Sequence, residues 1–432
     1  MTTTALTRGP VQASERSPAP DLARGFMLLL IAVANTPFYL WGREMSASAS
    51  HPVDGSGIDK VVDFLIITVV DLRTYPMFAF LFGYGMMQLY NRQISSGTPE
   101  AAARKLLQKR NWLLLAFGFV HAALLWMGDV LGAYGLAGLL MVWLFFQAKD
   151  VTLIVWTWVL CGLLTIGTAF AVVGGWFLAQ LPADHPEARS VAADFAPDTA
   201  SMAQTSYLDS ITERLTYWSL GTVFQGVLVL VVPMMLLLAF WAGRRRILEN
   251  PGEHLPLLRR VAVVGITIGW LGPLPSAFDH VGLIDVPDHA AVVFYPVQFL
   301  TGFFGGLGYV ALFGLLGHRV AQRRTGAPSR DLLAADGRLA GAVQAVGKRS
   351  LTSYLLQSVL CAPILAAWGL GLGQHLTSAT MLVFAVAVWA LTVAFAVWQE
   401  RTGRRGPAEV LLRRLAYGRP GQAPPRSPAV TG

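Results

Sequence analysis

The stretch VTLIVWTWVLCGLLTIGTAFAVVGGWFL, residues 151–178, contains no charged side chain. A helix needs roughly 20 apolar residues to cross the hydrocarbon core of a bilayer, and this stretch is longer than that. Backbone groups inside lipid must be hydrogen-bonded within the protein, and a continuous segment achieves this as a helix. Residues 151–178 are therefore predicted to form a transmembrane helix.

Nine more stretches of the chain have the same apolar character. Hydrophobic residues make up 54% of the sequence and charged residues 13%, whereas a soluble protein usually carries about 25% charged residues. We therefore predict an all-α protein, a polytopic transmembrane helix bundle. Its ten predicted spans are Ala23–Trp41, Val61–Tyr90, Trp112–Met127, Leu131–Phe146, Val151–Leu178, Gly221–Ala242, Val261–Phe278, Ala290–Leu316, Val346–Leu370 and Thr380–Trp398.

The loops between these spans alternate in the sign of their charge. Cytoplasmic loops of membrane proteins are enriched in Lys and Arg, so ten spans place both termini in the cytoplasm of a multi-pass plasma-membrane protein. The basic clusters are Arg104, Lys105, Lys109 and Arg110, then Arg244, Arg245, Arg246, Arg259 and Arg260, then Arg319, Arg323, Arg324 and Arg330, and finally Arg401, Arg404, Arg405, Arg413 and Arg414. The acidic loops contain Asp184, Glu187, Asp194, Asp198 and Asp209, and then Asp279, Asp285 and Asp288.

This placement also explains the net charge of +8. Because the basic residues follow the topology, we predict no nucleic-acid partner and expect the basic loops to contact membrane lipids. The polar residues 1–21 and 419–432 are predicted to be disordered cytoplasmic tails, and residues 22–418 to form a single ten-helix membrane domain. Cys161 and Cys361 fall inside predicted helices and are interpreted as small apolar residues.

A few ionisable side chains lie at membrane depth in these spans. Each costs at least about 2.5–3.5 kcal/mol to insert, so each is a functional hypothesis by default. His121 and Asp129 are eight residues apart and close to one face of a helix. With Tyr134 they are expected to gather in an outward-facing cavity, where His121 would act as a general base. The alternative is a histidine that hydrogen-bonds across helices for packing.

Other residues in the spans favour structural interpretations. Arg73 is two residues from Asp71, so the two side chains point away from each other on a helix. We therefore expect Arg73 to form an ion pair with a carboxylate on another helix, or alternatively to bind substrate. Pro76 is expected to kink the second span, and Pro37 to kink or end the first. Small residues in the eighth span predict close helix packing: Gly302, Gly305, Gly306 and Gly308.

Five segments, taken in order, resemble the YeiB family, also called domain of unknown function 418. They are RGFMLLLIAVAN (residues 24–35), RTYPMFAFLFGYGM (73–86), RNWLLLAFGFVHAALLWMGDVLGAYGLAGLL (110–140), VGKRSLTSYLLQS (346–358) and RRGPAEVLLRRLAYG (404–418). Ser353 stands where the family usually has Asn. The family is distantly similar to membrane acyltransferases, including heparan-alpha-glucosaminide N-acetyltransferase. The resemblance implies acyl-CoA as a cytoplasmic donor, and a small-molecule, glycan or lipid acceptor on the outer face.

The resemblance also implies catalytic residues. Arg24, ten residues and Asn35 match the spacing of an arginine and a catalytic histidine in ten-helix acyltransferases, with Asn in place of that histidine. The heparan-type enzymes use a histidine from the following outer loop, where this chain has His51. The loop Met45–Ser56 is rich in Ser, Ala and Gly and is expected to be flexible.

In the acyltransferase interpretation, Arg24 would bind a CoA phosphate. Asn35 would donate a hydrogen bond to the thioester carbonyl, and His121, beside Asp129, or His51 would deprotonate the acceptor. Lys348 and Arg349 would bind phosphate or a lipid headgroup, or else mark topology, while Tyr354 and Gln357 share one helix face. The remaining candidates for substrate contacts are Arg73 and Tyr134.

Two further interpretations remain open. One is a transporter or exporter of a small or amphiphilic molecule, in which the buried polar residues line a path. The other is a non-catalytic membrane scaffold. The outer histidines fit no known spacing of metal ligands, so we predict no metal site: His51, His185, His280, His289 and His375.

Overall fold

The computed structural model describes residues 17–182, 185–187, 199–323, 333 and 336–417, which are mainly helical. The predicted all-α fold is confirmed for this part of the chain. The helices are α1 (Pro18–Ala34), α2 (Gly57–Val69), α3 (Thr74–Ser95), α4 (Glu100–Leu124), α5 (Val130–Phe145), α6 (Asp150–Leu178), α7 (Ala200–Ala203), α8 (Tyr207–Val223), α9 (Val231–Arg244), α10 (Leu255–Leu271), α11 (Leu274–His280), α12 (Asp288–Ala291), α13 (Phe294–Gln322), α14 (Arg338–Lys348), α15 (Ser350–Leu365), α16 (Ser378–Arg401) and α17 (Pro407–Tyr417).

Five helical segments of the described chain are long and apolar enough to cross a membrane. They include five of the predicted spans, and a sixth follows if α8 and α9, bent by 52°, form one span. The other four predicted spans correspond to α1, α4, α5 and α15, which are shorter or carry charge. The count of ten and the cytoplasmic position of both termini therefore stay predictions.

The surface of the bundle supports a membrane setting. Helices α6, α10 and α16 expose large apolar side chains along much of their length, as Phe170, Val263 and Val383 illustrate. In water these side chains would form large exposed apolar patches, which soluble monomers rarely carry. The protein is therefore membrane-embedded, with these helices facing lipid.

Helix α1 begins earlier than predicted and ends where its proline indicates. Residues 18–21, which we expected in a disordered tail, form its first turn and are buried. The prolines at positions 18 and 20 are compatible with a first turn, whose N–H groups need no intrahelical partner. The helix ends at Ala34, before Pro37. Residues 1–16 and 418–432 lie outside the described residues.

The second predicted span is two helices, and its break precedes Pro76. Helix α2 ends at Val69 and α3 starts at Thr74, with Leu72 in the left-handed region at φ 56°. Pro76 is the third residue of α3, where a proline is tolerated. The predicted kink at Pro76 is therefore wrong by a few residues.

Arg73 occupies this break and is completely buried. Its guanidinium donates to the carbonyl oxygens of Gly269 at 2.8 Å, Ile67 at 3.1 Å and Asp71, and to Oε1 of Gln298 at 3.4 Å. None of these is a carboxylate, so the expected pairing with a carboxylate on another helix is wrong. The broken helix leaves carbonyl groups without partners, and the guanidinium satisfies them.

Helices α10 and α13 pack together more extensively than any other pair. A Cβ atom added at Gly269 would lie 2.5 Å from the Cα of Gly305, and one at Gly265 would lie 2.9 Å from the Cα of Gly308. Small residues allow two backbones to approach this closely, which is the principal means of helix association in lipid. The prediction of close packing at these glycines is confirmed.

We expect Gly269→Leu to destabilise the bundle. Its side chain has no space between α10 and α13, and overpacking of this kind typically costs about 1–3 kcal/mol. The melting temperature of the protein in detergent should fall. Gly167→Leu is the matched control, because a Cβ there meets nothing within 4 Å. Equal melting temperatures for the two variants would contradict the packing argument.

Candidate functional site

The loop before α2 turns back into the bundle and is ordered. The backbone N–H of Ser46 donates to the carbonyl of His51 at 2.8 Å, and Ser276 Oγ donates to the carbonyl of Ser48 at 2.7 Å. Ser46, Ser48 and His51 are all buried. The expectation of a flexible loop is therefore wrong, because the loop's backbone is hydrogen-bonded to itself and to α11.

His51 lies between two carboxylates. Its Nδ1 is 2.9 Å from Oδ1 of Asp63, and its Nε2 is 2.8 Å from Oδ2 of Asp71. Asp63 also accepts from His280 Nε2 at 3.2 Å and from Ser378 Oγ at 3.0 Å. The imidazole is thereby fixed in orientation by groups from α2, the following break, α11 and α16.

The carboxylates determine the charge of the ring. Burial by itself would lower the pKa of His51, but the negative charges of Asp71 and Asp63, and their hydrogen bonds, raise it to about 9. Both ring nitrogens then donate, as an imidazolium does. Protonated His51 is thus the resting form at neutral pH.

His51 and Asp71 line a cavity of about 310 Å³, which we call the histidine cavity. Asn35, at the C-terminus of α1, lines the same cavity, and so does Asp129, at the N-terminus of α5. The structure thus brings together three of the four residues proposed as catalytic. Polar or aromatic residues from other elements also line it, namely Tyr134, Tyr217, Trp218, Tyr295, Gln298 and Tyr354.

His121 lies behind this cavity instead of lining it. Its Nδ1 is 2.7 Å from Oδ2 of Asp129, and its ring packs edge-on against Tyr354 with centroids 5.2 Å apart. Asp129 Oδ1 meanwhile accepts the N–H of Gly132 at 2.9 Å and caps α5. The expected grouping of His121, Asp129 and Tyr134 is therefore only partly correct, and His121 orients Asp129 from the buried side.

A second cavity, of about 270 Å³, lies at the other end of α1, and we call it the arginine cavity. Arg24, Arg110 and Lys348 line it. The Arg24 guanidinium is 3.4 Å from Asp21 and donates to the carbonyl of Leu81 at 3.2 Å. Sequence reasoning assigned Arg110 only to topology, although it opens the RNW segment that carries part of the family resemblance.

The remaining candidates have mainly structural contacts. Lys348 and Arg349 both pair with Glu400, at 2.8 and 2.9 Å, and Arg349 is not among the residues that line either cavity. Gln357 donates to the carbonyl of Leu28 at 3.0 Å and joins α15 to α1. Arg73 holds the helix break described above. Asp63 and Asp71 lie within the second predicted span, and only the structure shows that they contact His51.

The raised pKa of His51 predicts how stability depends on pH. Protonated His51 stabilises the fold fully below its ordinary pKa of 6.5, and this contribution is lost as the pH rises through about 9. The difference in melting temperature between the wild type and His51→Gln should therefore shrink between these two values. His375→Gln, which changes an exposed histidine, is the control. A difference that does not vary with pH would contradict the assigned contacts.

The sequence matches a family model described as a protein of unknown function (DUF418) over residues 242–419. It is similar to the uncharacterized protein YxaH of Bacillus subtilis (strain 168), with 27% identity over 420 residues, 94% of this chain and 96% of that protein. It is also similar to the uncharacterized protein YeiB of Escherichia coli (strain K12), with 26% identity over 365 residues, 82% of this chain and 83% of that protein.

A shorter match involves an uncharacterized 39.9 kDa protein in the amylase 3′ region of Bacillus acidopullulyticus. It is 33% identical over 144 residues, which are 33% of this chain and 38% of that protein. The two longer matches cover 94% and 82% of this chain. The DUF418 match and the two longer similarities together support membership of the YeiB family.

Proposed function

We propose that the protein transfers an acyl group from cytoplasmic acyl-CoA to an acceptor on the outer face of the membrane. One observation carries this proposal. Two cavities of different chemistry, one basic and one with a histidine held by carboxylates, meet at a single layer of side chains. The basic cavity suits a phosphate-bearing donor, and the histidine cavity suits proton transfer from an acceptor.

The arginine cavity has the groups that a CoA donor requires. Guanidinium groups bind phosphate with paired hydrogen bonds, and Arg24 and Arg110 both line the cavity. Arg24 and Asn35 are on one helix, and eleven residues at 1.5 Å per residue separate them by about 16 Å. A thioester arm anchored at Arg24 therefore extends along α1 toward the histidine cavity.

The histidine cavity has the groups that acyl transfer requires. The acceptor oxygen or nitrogen attacks the thioester carbonyl carbon, a new C–O or C–N bond forms, and the C–S bond breaks. The amide N–H of Asn35 donates a hydrogen bond to the carbonyl oxygen as negative charge develops there. Neutral His51 takes the acceptor's proton at Nε2, the nitrogen that contacts Asp71 in the resting structure and is released when Asp71 turns away. His51 then returns the proton to the leaving thiolate, and the step is balanced.

Binding of the donor is the first test. A ligand that binds only the folded state stabilises it, by about 2.7 kcal/mol at a concentration 100 times its Kd. We expect acetyl-CoA to raise the melting temperature of the wild type but not of Arg24→Ala. Arg259→Ala removes an exposed arginine of α10 outside the cavity and should respond as the wild type does. The proposal would be contradicted if no acyl-CoA raised the melting temperature, or if the rise in Arg24→Ala were as large as in the wild type.

The protonated resting state of His51 predicts a pH profile. Because the base must be neutral, the rate of acyl transfer should rise about tenfold per pH unit up to about pH 9 and then level off. Asp71→Asn removes a charge that raises the pKa of His51, so the plateau should begin at lower pH. The measurement is release of free CoA thiol from acetyl-CoA in proteoliposomes supplied with hexosamine or polyol acceptors. A profile unchanged by Asp71→Asn would count against His51 as the base.

A transporter is the second candidate, and the bend between α8 and α9 favours it. The two helices meet at 52° next to Leu230, which has a left-handed backbone, and the neighbouring Val229 lines the histidine cavity. Broken helices beside a central cavity are common in transporters. Counterflow of a solute in liposomes, without any acyl transfer, would select this function over the first.

A further inference from the structure

Three aromatic side chains separate the two cavities. Phe78, Tyr134 and Tyr354 are the residues that line both the histidine cavity and the arginine cavity. The ring of Phe78 packs edge-on against Tyr134 with centroids 4.9 Å apart, and its centroid is 6.5 Å from that of Tyr354. These distances are typical of aromatic pairs in contact. We call these three side chains the aromatic partition.

The two tyrosines are anchored by hydrogen bonds. Tyr134 Oη donates to the carbonyl of Tyr75 at 2.8 Å, and Tyr354 Oη accepts the N–H of Val130 at 3.3 Å and lies 3.5 Å from Asp129. Both side chains are buried, with 1% and 3% of their surface exposed. Their positions are therefore set by the ends of α3 and α5.

Phe78 differs from the tyrosines in its anchoring and in its burial. Its side chain has no polar atom to anchor, and it is only partly buried. It lies on α3 one turn after Tyr75, the residue that accepts the hydrogen bond of Tyr134. Rotation of the Phe78 ring is thus the least costly way to open the partition, since neither tyrosine has to lose a hydrogen bond.

We propose that Phe78 determines the length of the acyl chain that the protein accepts. The inference rests on the proposed function, in which the thioester lies at the partition with its thiol side in the arginine cavity. The acyl chain then lies among the rings of the aromatic partition. A short chain fits between the three rings, whereas a longer chain contacts the Phe78 ring and is excluded.

The test compares the affinities of acetyl-, butanoyl-, hexanoyl- and octanoyl-CoA by calorimetry. Affinity for the wild type should stop increasing after the short chains. In Phe78→Ala it should continue to increase, by about fourfold for each additional buried methylene group. Phe80→Ala, which removes a phenyl ring of the same helix that lines neither of these two cavities, should keep the wild-type length dependence.

Phe78→Trp enlarges the side chain in the partition, whereas Phe78→Ala removes it. The tryptophan variant therefore provides a test even if the alanine variant does not fold. It should weaken butanoyl-CoA relative to acetyl-CoA. If the wild type binds acyl-CoA and neither substitution alters the length dependence, the role of Phe78 is overturned while the proposed function stands. If the wild type binds no acyl-CoA, both are overturned.

A second measurement examines the passage without a thioester. In a background of Cys161→Ala and Cys361→Ala, Thr222→Cys places one thiol in the histidine cavity. A charged methanethiosulfonate inside vesicles should reach this thiol faster when Phe78→Ala is added. Equal rates with and without that substitution would show that Phe78 does not close the passage.

Discussion

The arginine at the break between α2 and α3 is the interaction on which the site depends. Helix backbones in lipid must keep their carbonyl groups hydrogen-bonded, and a break is tolerated only where buried groups replace the lost partners. The Arg73 guanidinium replaces them, with acceptors in α2, within the break and on α10. Tyr309 Oη supplies a further hydrogen bond to the carbonyl of Val69. The helix can therefore be interrupted inside the bundle while its carbonyl groups stay hydrogen-bonded.

Both halves of the site follow from that break. Asp71, just before Arg73, points to His51, whereas Tyr75 and Phe78, just after it, belong to the partition or support it. An unbroken helix would place Asp71 and Tyr75 on one face, one turn apart. The left-handed residue between them separates a charged segment from an aromatic one. A positive φ in a leucine costs energy, and such residues persist where the surrounding contacts hold them.

Buried charge is tolerated here because it is paired. Moving an isolated charge out of water is costly, and the penalty is recovered only where opposite charges and hydrogen bonds surround it. His51, Asp63 and Asp71 meet this condition, with His280 and Ser378 as further partners. The same pairing holds His51 protonated at rest. The groups that make the site stable thus also set the pH at which it would act as a base.

Four of the helices that line the cavities are those that sequence hydropathy identifies least well. Helices α1, α4, α5 and α15 are shorter or more polar than the spans that face lipid, because they carry the site residues. Their interior position hides that polarity from lipid. The helices with the strongest apolar character, such as α6 and α16, are peripheral and contribute few polar groups.

The amino-acid sequence by itself determined the fold class, the family resemblance, the membrane setting, the end of α1 before Pro37 and the close packing at the glycines of α13. These follow from local composition, from proline geometry and from motifs that are contiguous in the chain. The sequence also provided Arg24, Asn35 and His51 as candidates, by resemblance. Only the tertiary structure decided which histidine faces a cavity, because His51 and His121 are both histidines near acids, and exposure depends on packing from distant helices. It also decided that Arg73 holds backbone instead of a carboxylate, since its partners on α10 and α13 are about 200 residues away in the chain.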